Sequence, residues 1–173
     1  AALRPAGPNA PPKTQPIPMN QAQCAEAIQH LVRNGTWLTP TIGAPGTGDA
    51  RTRQFNLGIT RMAAQAGVRL LPGTDWPGGG YAFGDFSRAN PSIMDELAGL
   101  VEAGLPPPQA LRTATVNPAI LFKMTDQLGS VQSGKLADLL LLDADPLVDI
   151  ANAKRIAAVV VNGRLVDAAE RKK

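Results

Sequence analysis

An α/β body followed by a small β module is the fold class this sequence predicts, and three observations predict it. Between residues 19 and 104, segments with helical and strand-like patterning follow one another as helix, strand, helix, strand, helix. That order belongs to parallel strands joined by crossover helices. The short run Val68, Arg69, Leu70, Leu71 leads into Pro72-Gly73-Thr74-Asp75, a carboxylate at a strand tip, where (β/α) barrels put their chemistry. After Asp126 the texture becomes strand-like, with Asn162-Gly163 as a strong hairpin signal.

The elements follow in order. Residues 1–18 carry Pro5, Pro8, Pro11, Pro12, Pro16 and Pro18 with almost no large apolar side chain, and read as an extended loop or disordered arm. Cys24, Ile28, Leu31 and Val32 form one helical stripe, with Asn34-Gly35 as its stop. Residues 36–42 form a strand that Pro40 must end or distort. A Gly/Pro loop over residues 43–49 precedes a second helix, whose expected buried face is Phe55, Ile59, Met62, Ala63 and Ala66, ended by Gly67. The strand 68–71 and a loop from Gly73 to Asn90 come next. Ser92 and Asp95 fit a capping box ahead of the stripe Ile93, Leu97, Leu100 and Val101, and Gly104 ends that helix. Residues 109–115 and 118–123 read as two shorter helices, and residues 137–143 and 156–161 as strands.

Composition narrows the function classes. The chain has 173 residues with 44% hydrophobic content, enough for one domain with a core. Aromatic content is only 4%, so Ala, Leu, Val and Ile must build that core. The net charge of +3 arises from scattered Lys and Arg, and the one cluster is the tail Arg171-Lys172-Lys173. Without aromatic residues interleaved among basic ones, a nucleic-acid partner is not expected. No run of about 18 apolar residues suits a membrane span, and no signal peptide is visible, which leaves the compartment open. Cys24 is the single cysteine, so no intramolecular disulfide can form.

Several motifs in order over about four fifths of the chain resemble the metal-dependent amidohydrolase superfamily, in particular its imidazolonepropionase-like branch. They are Gly35-Thr36-Trp37-Leu38-Thr39-Pro40-Thr41, then Ala66-Gly67-Val68 with Gly73-Thr74-Asp75, then Glu96-Leu97 through Leu100-Val101-Glu102-Ala103-Gly104-Leu105. Ala110-Leu111-Arg112-Thr113-Ala114-Thr115-Val116-Asn117-Pro118-Ala119 follows, and then the stretch from Gly129-Ser130-Val131 to Leu141-Leu142-Asp143. The resemblance implies a partial (β/α) barrel over residues 19–125, comprising its last two strands and their helices, and a β-sandwich half-module over residues 126–173 with a charged tail. It also implies that Asp75 matches the family's strand-eight aspartate, which binds the metal, takes a proton from its water and passes it to the leaving nitrogen.

The family's paired His, its bridging Lys or Glu, and its later His ligands have no counterpart in a chain with one His. Met94 stands where this branch often carries a His. A barrel alone needs about 250 residues, so the sequence is expected to be the C-terminal part of a longer hydrolase of amide, cyclic amide or peptide-like C–N bonds. Zinc is the first expectation for the metal of the complete enzyme, with none held by this chain alone. The missing N-terminal barrel part or a partner chain would supply the other ligands. The competing expectation is a non-catalytic truncated paralogue or fragment that pairs with another polypeptide.

Each candidate residue also has a plainer reading. Asp75 could simply cap its own turn. Thr74, Trp76, Tyr81, Phe83 and Met94 could line a substrate pocket, or the aromatic three could only anchor the loop around Gly78-Gly79-Gly80. That glycine run lacks the Lys-Ser/Thr and the helix of a phosphate cradle. His30 reads as a surface residue near a helix end, and Cys24 as part of an apolar helix face. Asp138, Asp143, Asp145 and Asp149 lack calcium-loop spacing, and strand-end and turn roles are expected for them.

Overall fold

The computed structural model describes residues 20–42, 50–74 and 92–166. The Pro-rich arm, the loop 43–49, most of the loop after Gly73 and the basic tail lie outside the described residues. Helix α1 (Gln21–Arg33) starts where the Asn20 side chain accepts from the backbone N–H groups of Ala22 and Gln23 at 3.0 and 3.3 Å. Its stripe is inward as expected, with Ile28 buried and Cys24 and Leu31 half-buried, though Val32 reaches the surface. His30 sits exposed in the last turn.

Strands β1 (Trp37–Leu38) and β2 (Arg69–Leu70) pair in parallel, Trp37 opposite Arg69 and Leu38 opposite Leu70. The Leu71 N–H extends the ladder to the Leu38 carbonyl at 3.0 Å. Both strands are shorter than the expected spans 36–42 and 68–71. Pro40 has no N–H to give, and Thr41 takes φ 51, which turns the chain out of the strand. The Arg69 guanidinium lies 5.0 Å from the Trp37 ring centroid, a cation–π contact across the pair.

Helix α2 (Ala50–Gln65) and the residue after it bury most of the expected face: Ala63 is buried, Met62 and Ala66 pack half-buried against the core, and Ile59 is half-buried. Leu57, Thr60 and Ala63 are buried, whereas Phe55 is 42% exposed. Thr60, counted as polar, joins that core because its hydroxyl donates to the Asn56 carbonyl one turn back at 2.7 Å. Gly67, at φ +84, then ends α2 with a paired hydrogen-bond motif, Gly67 N–H to Ala64 and Val68 N–H to Ala63. The same motif closes α1 at Gly35 and α3 at Gly104.

Helix α3 (Ile93–Glu102) is the central element, packing against α2, against α4 (Pro107–Ala114) and against a 3-10 helix (Ile150–Lys154). Its capping box forms as read: Asp95 N–H donates to Ser92 Oγ at 3.3 Å and Ser92 N–H to the Asp95 carboxylate at 2.8 Å. Leu97 and Leu100 are fully buried, each worth about 1.5–3 kcal/mol of removed apolar surface. Helix α5 (Val116–Leu121) follows α4 directly.

The β module is a three-stranded antiparallel sheet in the order β3 (Leu139–Leu142), β4 (Ile156–Val161), β5 (Arg164–Val166). The β4–β5 turn is the expected hairpin, with Asn162 at φ 49 and Gly163 at φ 76. Three carboxylates of this region hold backbone. Asp138 accepts from Asn162 N–H, Asp145 from Leu147 N–H and Asp149 from Ala151 N–H. Among the described residues no helix is long and apolar enough to cross a membrane.

Candidate functional site

Parallel pairing places the C-terminal ends of β1 and β2 side by side, so the turns that follow them, 39–42 and 71–74, emerge from one end of the sheet. Gly73 lies against the first turn. A Cβ at that position would come within 2.4 Å of the Thr39 methyl and 3.5 Å of Thr41 Oγ1. A larger residue there would therefore make the Thr39 side chain shift. Thr74 follows, half-buried, as the last residue described before Asp75.

The first turn is gripped from α3. Glu96 is 1% exposed, and both of its carboxylate oxygens accept from the Ile42 backbone N–H, at 3.1 and 2.9 Å. Burying a carboxylate costs several kcal/mol by itself, an order-of-magnitude figure that charge-assisted hydrogen bonds offset. Thr41 adds strain, since a β-branched residue in the left-handed region costs about 1–3 kcal/mol. The Ile42 side chain is buried over Gly99, where a Cβ would meet it at 3.2–3.3 Å. No signal in the β1 turn announces this arrangement. On α3, however, Glu96 falls three residues after Ile93 and four before Leu100, on the apolar stripe, and that position marks it as a buried acid.

Charge around α3 is ordered as well. Arg53 of α2 donates to both carboxylate oxygens of Glu102, at 2.6 and 2.7 Å. That bond pushes the guanidinium above its ordinary value, with the charges of Glu102 and Glu96 adding to it against the cost of burial. The same bond holds the Glu102 carboxyl below its usual range. For Asp95, burial alone would raise the carboxyl, but hydrogen bonds from Lys154 and Ser92 outweigh it and hold it low.

The other predicted site residues are placed as follows. Asp75, Trp76, Tyr81 and Phe83 lie outside the described residues. Met94 is half-buried in the first turn of α3 and lines a mostly apolar groove of about 430 Å³ under β3, with Leu111, Leu136, Leu139 and Leu142. Thr74 is not among the residues that line that groove. A second cavity of about 350 Å³ borders β2 beside Arg69, Gln109, Arg112 and Asn117. Among the described residues no three His, Cys, Asp or Glu side chains gather where they could hold a metal ion. Among the described residues, what gathers at the strand ends is threonine side chains and glycine backbone.

Known proteins share this framework. An imidazolonepropionase of Geobacillus sp. (strain WCH70) is 28% identical over 155 residues, covering 76% of this chain and 36% of that protein. An adenine deaminase of Clostridium botulinum (strain Loch Maree / Type A3) is 36% identical over 66 residues, 38% of this chain and 10% of its own length. Among solved structures, a Xaa-Pro dipeptidase with bound methionine in the active site superposes with a TM-score of 0.64 at 28% identity, covering 83% of this chain and 37% of that one. The chain thus spans little more than a third of the imidazolonepropionase and of the dipeptidase. The family model for the amidohydrolase family matches residues 21–166, a span that takes in both strands, the α3 clamp and the β module, and the chain belongs to that family.

Proposed function

We propose that this chain is the C-terminal portion of a metal-dependent hydrolase of C–N bonds, in which β1 and β2 are the last two strands of a (β/α) barrel. The observation that carries this reading is the parallel strand pair whose shared C-terminal end leads directly into Asp75, in a chain of the amidohydrolase family. Barrel enzymes keep their reacting groups at that end of the sheet. The relatives named imidazolonepropionase, adenine deaminase and Xaa-Pro dipeptidase support a small substrate of the amide, cyclic amide or peptide-like class.

The described residues do not compose a complete metal site. The proposal therefore gives this chain one ligand, Asp75, and assigns the others to polypeptide outside the 173 residues. A divalent metal such as zinc, held in part by Asp75, would supply a water acidified to about pKa 7. The Asp75 carboxylate would serve as base toward that water and then as acid toward the departing nitrogen. Thr74 and Trp76 flank Asp75 in the chain, Tyr81 and Phe83 follow in the same loop, and all four are assigned to the rim of the substrate pocket. Met94 contributes apolar surface to the groove under β3.

The test is to join the chain to the polypeptide encoded upstream of Ala1, then measure bound metal and hydrolysis of a panel of amides and dipeptides. Stoichiometric metal with turnover, abolished in Asp75→Asn, is the expected result, as is a His-x-His after an apolar strand upstream. The 173-residue chain alone should bind negligible zinc and turn nothing over. Stoichiometric zinc and turnover by that chain alone would overturn the proposed division of ligands.

A further inference from the structure

We infer that Glu96 is a positioning residue for the end of the β1–β2 pair, setting through the 39–42 turn where Gly73 and Thr74 present the chain that continues into Asp75. The inference rests on the hydrolase reading only for calling that end catalytic. Its geometry stands on described residues alone.

The turn after β1 is held by more constraints than a surface loop needs. Glu96, 54 positions further along the chain, centres the Ile42 N–H between its two oxygens. Gly99, one helical turn beyond Glu96, leaves the space the Ile42 side chain fills. Between these grips and the strand lies Thr41, in a backbone conformation that a β-branched residue adopts only when its surroundings force it. Two oxygens of a buried carboxylate on one N–H fix that N–H in place. The outcome of the forced turn is directional. Thr39 and Thr41 both lie against Gly73, at 2.4 and 3.5 Å from where a Cβ would stand. A contact path therefore runs from the Glu96 carboxylate through Ile42, Thr41 and Thr39 to Gly73, two residues before Asp75.

A role confined to filling the core would end at Ile42, whereas positioning must be felt at Gly73 and Thr74. The experiment uses amide hydrogen exchange and backbone NMR of the 173-residue chain, with no metal or substrate, so its outcome is independent of whether the hydrolase reading holds. In Glu96→Gln, which preserves volume, exchange at Ile42 should accelerate at least about tenfold and the Gly73 and Thr74 amide resonances should move. From the other side, Gly73→Ala should displace the Thr39 methyl and speed exchange at Ile42, and Thr39→Ser, which removes that methyl, should restore slow exchange in the double variant. If Glu96→Gln does not fold, the Gly73→Ala and Thr39→Ser pair decides alone. Unmoved Gly73 and Thr74 resonances in a folded Glu96→Gln, or a Gly73→Ala effect that Thr39→Ser fails to rescue, would overturn the inference.

Discussion

The side-chain amide of Asn117 donates to the backbone carbonyl of Leu70 at 2.8 Å, so a residue of α5 holds a strand of the parallel pair from 47 positions away. The bond bridges two parts of the chain that no local signal connects. It also fixes β2 in the stretch that leads to Gly73 and Thr74.

Removing that donor should be felt throughout the domain. Asn117→Ala strips the Leu70 carbonyl of its partner and is expected to cost about 1–3 kcal/mol. Asn117→Asp places an acceptor against an acceptor and should cost more. Urea unfolding would check both, with the midpoint falling while the slope stays constant.

The buried face of α3 and the exposed position of Phe55 on α2 predict opposite responses to truncation. Leu97→Ala or Leu100→Ala opens a cavity in the core and should cost about 2–5 kcal/mol. Phe55→Ala, at a position 42% exposed, should cost far less than either. Equal losses in thermal unfolding would instead place Phe55 in the core with the rest of its face.

Gly129 is a third sensitive point. It sits at φ +92, and a Cβ there would meet the Ala119 Cβ at 2.8 Å and the Thr115 carbonyl oxygen at 3.2 Å. Gly129→Ala combines backbone strain with overpacking and should destabilise by about 1–3 kcal/mol. Gly134, also at positive φ but with nothing within 4 Å, should tolerate the same change better in a parallel melt.

Acid should release the contact at the N-terminus of α3. Asp95 is held below its ordinary 3.8 in the fold by Lys154 and Ser92, against burial, so its folded value lies under its unfolded one. Its contribution is therefore full above 3.8 and disappears as pH falls through the lower folded value. Asp95→Asn should be less stable than the parent at neutral pH, and the gap should close on acidification below 3.8. A gap that is constant from neutral to strongly acidic pH would assign the loss to the cap's shape instead of its charge.

What the sequence determined by itself was whatever a handful of neighbouring residues can encode. The Ser92–Asp95 capping box, the stops at Gly35, Gly67 and Gly104, the Asn162-Gly163 hairpin and the parallel order of β1 and β2 all follow from caps, φ preferences and periodicity within one segment or one crossover. Tertiary structure decided the rest. Thr60 enters the core because its hydroxyl finds a carbonyl one turn back, and Phe55 alone of the expected α2 face stays at the surface. Met94 turns to the groove under β3, and buried Glu96 holds the N–H of Ile42 from the turn after β1. A side chain's partner across 54 positions is set by how the elements pack, and burial depends on that partner.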